Sequence, residues 1–311
     1  MTLTVSINHQ VHDDFELLRD SWLLALDSDG YSRATMVSYG SALTALVDFL
    51  GPDVAPSDVT RDDVRRWLIA ERDGRSSSTA RARFAGVRHF FRWMIAEDER
   101  SNDPTEGIRT PAPNDPTTPV LSEDELRKLV DVCKGRAFRD RRDLALVLVF
   151  VDGGLRLAEA ADLKVDSIDL RDRTISVVGK GSNCSGPRRR IVPLGLHSLR
   201  ALDAYLRARR RHPRAEEPAL WLGDRNRGPL TLWAVKAILV RRAKQAGLGA
   251  IHPHALRHSW ASHFRQAGGE EGDLMVMGGW RSRAMLDRYG RAASVERARE
   301  SYRARSLGDR L

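Results

Sequence analysis

From His252 to Tyr289 the chain reads HPHALRHSWASHFRQAGGEEGDLMVMGGWRSRAMLDRY. This stretch holds a His-x-x-Arg-His cluster (His254, Arg257, His258), then Gly278-Gly279-Trp280, then Tyr289. Arginine grips phosphate through paired N–H bonds, and its charge does not titrate near neutral pH. A tyrosine hydroxyl can attack phosphorus if its proton is removed and the oxyanions are neutralised. The combination suggests phosphate chemistry. Two further cations are candidates, Arg156 just after Gly153-Gly154 and Lys180 within Gly179-Lys180-Gly181. Singly, each has a bland reading. An arginine after a glycine turn commonly starts a helix, and a glycine-flanked lysine is usually a solvated loop. A lone histidine or tyrosine is more often structural than reactive.

These residues need elements to hold them. The 311 residues suffice for two domains, and 41% hydrophobic content supports a packed core. Lys and Arg number 51 against 42 Asp and Glu, a net +9 that favours a polyanionic partner, most simply nucleic acid. Cys133 and Cys184 lie far apart and lack metal-site spacing, so they read as free thiols in a reducing cytosol. No basic segment followed by an apolar run opens the chain. The longest apolar run, Leu144 to Val151, is too short to cross a bilayer. A soluble cytoplasmic protein with no membrane partner is expected.

Apolar spacing predicts helices over Phe15–Leu26, from a Ser32 cap to Leu50, over Asp62–Glu71 and over Ser78–Ala96. Together they make a helical bundle at residues 1–105. The last of these helices carries Arg81, Arg88 and Arg92 beside its apolar stripe. They form either a solvated face or a row of phosphate contacts along a DNA groove. Asn102 to Pro119 holds five of the 13 prolines and reads as an extended linker, with 106–119 as the boundary segment.

The second domain, 120–311, opens with Ser122 and Glu125 at capping-box spacing. Arg142 to Val151 is a buried helix ended by Gly153-Gly154, and a short helix follows at Ala158–Leu163. The period then changes. Ser167–Leu170, Thr174–Val178 and Arg188–Leu194 read as strands, with Lys180 at the end of the second. Helices resume at Leu196–Arg211 and Leu230–Ala246, and Pro253 starts the helix of the histidine cluster. The expected fold is mainly α, with a small antiparallel β-sheet in the second domain.

In this order, GGLRLAEAADLKVDSID, VVGKG, HPHALRHSWASH and MGGWRSRAMLDRY resemble the tyrosine recombinase (phage integrase) family. The resemblance covers residues 121 to about 305 through motifs and the N-terminal bundle through architecture. It implies a core-type DNA-binding bundle and a catalytic domain closing as a C-shaped clamp on duplex DNA. By the same resemblance Arg156 and Arg257 clamp the scissile phosphate, Lys180 protonates the leaving 5′-hydroxyl, and His254 assists proton transfer. Tyr289 is the nucleophile of a 3′-phosphotyrosyl intermediate. Trp280 stands where most members have histidine and some have tryptophan. Its indole can donate one hydrogen bond but cannot shuttle a proton. Glu159 and His258 match supporting positions. Because one ester replaces another, no metal and no nucleotide cofactor is expected.

The family further implies a homotetramer on inverted-repeat core sites of double-stranded DNA, with a possible directionality factor. A phage or mobile-element integrase is the favoured role. The alternatives are a Xer-type chromosome or plasmid resolvase, a type IB topoisomerase, or a catalytically inactive DNA-binding relative. The first thirty residues hold six acidic residues and one basic, so no arm-binding domain is expected there. Ser294 to Arg305 reads as a helix that docks on a neighbouring protomer, with Tyr302 packed inside it.

Overall fold

The structure is a computed structural model, describing residues 3–112, 119–179, 188–249, 251–280, 282, 302–303 and 306, with side chains from Asp14 onward. Contacts divide the chain into two compact units, one drawn from the chain up to Pro116 and the other from Thr117 onward.

The first unit is built from α1 (Leu3–Ser28), α2 (Arg33–Leu50), α3 (Arg61–Gly74) and α4 (Ser77–Ala96). Ser32 caps α2 through Thr35 N–H, Thr60 and Asp63 form a capping box on α3, and Ser76 caps α4 through Thr79 N–H. The first helix starts at Leu3 rather than near Phe15. Its apolar stripe begins at Phe15, but no glycine or proline interrupts the residues before it. Trp22, Leu43, Leu46, Trp67, Phe84, Phe90 and Phe91 fill the core. Trp22 meets Phe90 edge-on at 5.3 Å and donates to His89 Nδ1 at 3.0 Å. Burial holds His89 below the usual histidine pKa, which suits an acceptor nitrogen. Gly86 lets α4 approach α2, since a Cβ there would stand 3.2 Å from the Tyr39 Cα.

The proline-rich segment does not run extended from Asn102. Pro104 to Gly107 turn, Pro104 and Thr105 are buried, and Asp103 Oδ1 accepts from Thr105 N–H and Oγ1–H. The Asx-type bonds of Asp103 and the packing of Thr105 override the extended preference of the prolines.

The second unit contains α5 (Glu123–Asp131), α6 (Phe138–Gly153), α7 (Leu157–Ala161), β1 (Ile168–Asp169), β2 (Thr174–Gly179), β3 (Arg188–Pro193), α8 (Leu196–Arg209), α9 (Leu232–Gln245), α10 (Pro253–Gln266) and α11 (Glu271–Gly278). The sheet is antiparallel in the order β1-β2-β3, with Ser176 opposite Ile191 and Gly179 opposite Arg188. Ile175, Val177 and Val192 face inward. Strand β1 is shorter than expected because Val165–Ser167 forms a 3₁₀ turn, and Asp169 Oδ1 then accepts from Arg171 and Asp172 N–H to turn the chain. Helix α11 had no clear sequence signal, since glycines at 268, 269, 272 and 278 obscure its period.

Helix α6 lies at the centre, burying Ala145, Leu146, Val147, Val149 and Phe150. It also buries a charge network. Asp143 accepts from Arg142, Arg241 and Arg242, and Arg242 continues to Asp140 and to the Val132 carbonyl. Helix α10 is tied to the start of the unit: Leu121 N–H donates to Ser259 Oγ at 2.8 Å, and His263 Nε2 lies 2.8 Å from the Leu121 carbonyl. No helix among the described residues is long and apolar enough to cross a membrane.

Candidate active site

The site begins where α6 stops. Gly154 takes a left-handed conformation, φ 56°, and a Cβ there would overlap the Trp260 ring. The turn aims its carbonyl at α10 and releases Arg156 at the start of α7. Glu159, three residues on, accepts from the Arg156 backbone N–H at 2.8 Å and from Arg156 Nη1 at 2.8 Å. A local helix start therefore also fixes the first arginine.

On α10, His254, Arg257 and His258 share one face because they stand at i, i+3 and i+4. Arg257 donates from Nη1 to the Gly154 carbonyl at 2.5 Å and from Nη2 to the Gly278 carbonyl at 2.6 Å. Its guanidinium stacks 4.2 Å from the Trp280 ring centre. Two glycine turns and an indole thus hold one arginine. Gly278 and Gly279 are required locally: a Cβ on Gly278 would overlap the Trp280 ring, and Gly279 has φ 66°. Trp280 is buried and stacks on Trp260 at 5.9 Å. Arg156 Nη2 points to the Gly279 carbonyl at 3.4 Å. Both expected phosphate arginines therefore meet the same turn, though the Arg156 side chain is 41% exposed and Arg257 is 1% exposed.

His254 has an accessible edge, yet the dense protein on its other side lowers its pKa below the usual histidine value. Desolvation is the main cause, and the charges of Arg257, His258 and Arg156 act in the same direction. The ring is neutral at neutral pH and can take a proton. Glu159 is held at about 2. Burial pushes it up, but hydrogen bonds and charge from Arg190, with those from Arg156, more than reverse this.

Arg190 was not among the sequence candidates. It forks onto both Glu159 oxygens at 2.9 and 2.8 Å, and its Nε donates to the Met277 carbonyl at 2.8 Å. A signal for it existed. Strand alternation puts Arg190 on the face of buried Val192, and an inward arginine requires a carboxylate partner. Trp260, the ring beneath Trp280, was also missed.

Lys180 and Tyr289 lie outside the described residues, as do Cys184 and all of 294–305 except Tyr302 and Arg303. Strand β2 ends at Gly179, the residue before Lys180. Tyr302, expected to pack inside a C-terminal helix, is 71% exposed. Cys133 is buried, and burial pushes its thiol up to about 12. Among the described residues no three His, Cys, Asp or Glu side chains are grouped to hold a metal ion.

In the first unit, the row of arginines on α4 meets the chain's own segment 103–111. Arg88 donates to the Ile108 carbonyl at 2.7 Å and to Thr110 Oγ1 at 3.2 Å, and lies over Phe84. Arg81 reaches the Pro111 carbonyl at 3.3 Å, and Arg92 stands 3.7 Å from Asp103.

A helical unit followed by a mainly helical unit with one small sheet, and two arginines brought to a Gly-Gly-Trp turn, define the class of tyrosine recombinases. Residues 119–296 match the phage integrase family, and residues 20–98 match the N-terminal SAM-like domain of phage integrases. The chain belongs to the phage integrase family. The tyrosine recombinase XerD of Bifidobacterium longum is 29% identical over 82% of this chain and 86% of its own length. XerC of Chromobacterium violaceum is 31% identical over 78% of each. Among solved structures, the Tn1549 transposon integrase in complex with circular intermediate DNA has TM-score 0.72 at 16% identity, over 91% of this chain and 98% of that one. A lambda integrase dimer bound to a core site has TM-score 0.70 at 19% identity, over 88% and 94%. The protein is a site-specific tyrosine recombinase that cleaves and rejoins DNA.

Proposed function

We propose that Tyr289 opens the DNA strand, with Arg156 and Arg257 as the phosphate clamp. The observation that carries this reading is the convergence of both arginines on the Gly278–Gly279 turn, which leads into Trp280 and on towards Tyr289. The Tyr289 phenol loses its proton towards neutral His254, its oxygen bonds to phosphorus, and the bond from phosphorus to the 5′-oxygen breaks. Lys180 supplies a proton to that leaving oxygen. Charge builds on the non-bridging oxygens, where fixed cations stabilise the transition state more than the ground state. The phosphotyrosyl ester retains the bond energy, so a 5′-hydroxyl from a second strand can reverse the step. Trp280 packs on Arg257 and offers an N–H donor. A denaturing gel tests the nucleophile: Tyr289→Phe should bind DNA and form no covalent adduct. Adduct from Tyr289→Phe, or its loss only in Tyr302→Phe, would overturn the assignment.

The substrate is double-stranded DNA with inverted half-sites, occupied by four protomers, in a bacterial cytoplasm. The domains divide as a DNA-binding bundle at 1–105, a proline-rich segment at 106–119 and a catalytic domain at 120–311. A mobile-element integrase role is the favoured reading, and the Tn1549 and lambda integrases are among the proteins that share this fold. A Xer-type resolvase is the second reading, carried by curated relatives that are XerC and XerD recombinases over most of this chain. Recombination between two sites on one plasmid, compared with sites on separate plasmids, separates the roles. A resolvase favours the first arrangement and an integrase recombines the second.

The lowered pKa of His254 gives a signed expectation. The imidazole stays neutral below the ordinary histidine value, so adduct formation persists as pH falls through about 6.5. An acid limb centred above 6.5 would remove His254 from the proton path.

A further inference from the structure

We infer that Arg190 is a positioning residue that keeps Arg156 available to the phosphate, by balancing the charge of Glu159 and pinning β3 to the Met277–Gly279 turn. This rests on the clamp role given to Arg156 above.

Glu159 is a buried carboxylate facing two guanidinium groups. Arg190 makes the complete fork, both nitrogens to both oxygens, while the Arg156 side chain gives Glu159 a single N–H. The three groups together carry one net positive charge, and the more exposed arginine expresses it. Without Arg190 a buried carboxylate would face Arg156 alone. It would draw that side chain into its own bidentate pair, and the net charge of that group would fall from one to zero, leaving Arg257 without the contribution of Arg156.

Position strengthens the case. Arg190 Nε holds the Met277 carbonyl, and a Cβ on Gly279 would stand 3.4 Å from the Arg190 guanidinium. A Cβ on Gly179 would lie 3.8 Å from Arg190 Nη1 and 3.9 Å from Glu159 Oε1. The residue preceding Lys180 is thus seated over the same ion pair. One side chain touches the end of β2, the partner of Arg156 and the turn that takes the second Arg257 bond.

The test uses the full chain and a nicked duplex whose sequence is recovered from randomised duplexes by covalent capture with the wild-type protein. Single-turnover adduct formation is measured alongside half-site affinity and thermal melting. Arg190→Met should lower the cleavage rate on the order of 10²-fold, comparable to losing one charge-stabilising donor, with little change in affinity. The double variant Arg190→Met/Glu159→Gln removes the unbalanced carboxylate and should regain at least tenfold. A purely structural role predicts no such rescue. Arg190→Lys returns the charge without the fork and should be faster than Arg190→Met. Should Arg190→Met fail to melt cooperatively, the Lys variant and the double variant carry the comparison. A double variant no faster than Arg190→Met overturns the proposal, as does Arg190→Met at the wild-type rate; where Arg190→Met does not fold, a double variant slower than wild type by on the order of 10²-fold or more overturns it. Tyr289→Phe run in parallel keeps the two readings apart: adduct from that variant defeats the nucleophile assignment, while the Arg190 series still reports on charge balance.

Discussion

Trp22, Trp67, Phe84, Phe90 and Phe91 are all fully buried in the first unit, where Glu71 and Thr105 are the buried polar residues among those described. The second unit buries Arg142, Asp143, Glu159, Arg209, Arg242, Arg257 and Arg265 alongside an apolar core that includes Phe150, Tyr205 and Trp221. A bundle that presents a surface to DNA needs only to be rigid, and apolar burial with aromatic packing achieves that without orienting any charge. On the proposed reading, the second unit holds cations against a phosphate, which needs each guanidinium fixed before substrate arrives. Fixing it takes backbone carbonyls and carboxylates in the interior. The second unit is therefore the one sensitive to conservative polar changes and to acid.

The largest separation should come from near-isosteric substitutions. Asp143→Asn leaves Arg142 and Arg242 facing a neutral amide inside the protein. It should cost about 3–5 kcal/mol, the usual penalty for breaking a buried charge pair. Leu46→Met in the first unit keeps volume and should cost less than about 1.5 kcal/mol. Urea unfolding of the full chain, with hydrogen exchange to resolve the units, measures both. Equal losses would erase the distinction.

Acid should act on the same side of the divide. Glu159 is held at about 2, against 4.5 for the ordinary carboxyl. A carboxylate with a depressed folded pKa stabilises above its unfolded value, and that contribution is lost as pH falls from about 4.5 to about 2. The amount is on the order of 3 kcal/mol. In the first unit Asp63 is also lowered, first by its bond from the Thr60 hydroxyl, but it lies in an exposed capping box and should contribute little. Between pH 5 and 3, exchange protection should fall around α7 and β3 before it falls in α2 and α4. The opposite order would contradict the assignment.

The difference also explains what could be read from residue order. Helices α2, α3 and α4 were legible because their apolar residues recur every three or four positions and Ser32 reads as a cap, while the Thr60 and Ser76 caps emerge only in the structure. Arg156, Arg257 and the Gly-Gly-Trp turn were legible because each sits in a short motif. Arg190 with Glu159, and Asp143 with Arg241, are partnerships across long stretches of chain: strand alternation can mark Arg190 as inward, but no local period names either partner. The contacts of Arg81, Arg88 and Arg92 with segment 103–111 were hidden for the same reason. Tyr289 and Lys180 were identified by motif alone and stand as proposals.

The smallest expected effect concerns those three arginines of the first unit, which carry no buried carboxylate comparable to Asp143. Arg88 is half-buried, stacked on Phe84 and bonded to Ile108 and Thr110, so its charge is committed to the chain. Arg81 and Arg92 are exposed, with partners at 3.3 and 3.7 Å that phosphates can replace. Removing one cation from a DNA phosphate lowers the slope of log affinity against log salt by about 0.9. Arg81→Gln and Arg92→Gln should each reduce the slope by about that amount and leave stability nearly unchanged. Arg88→Met should leave the slope intact, raise hydrogen exchange around Ile108 and cost about 1 kcal/mol. Gel-shift titrations on the captured duplex at several salt concentrations read the slopes. A reduced slope for Arg88→Met with unchanged exchange would place Arg88 in the DNA-binding row and make segment 103–111 incidental to it.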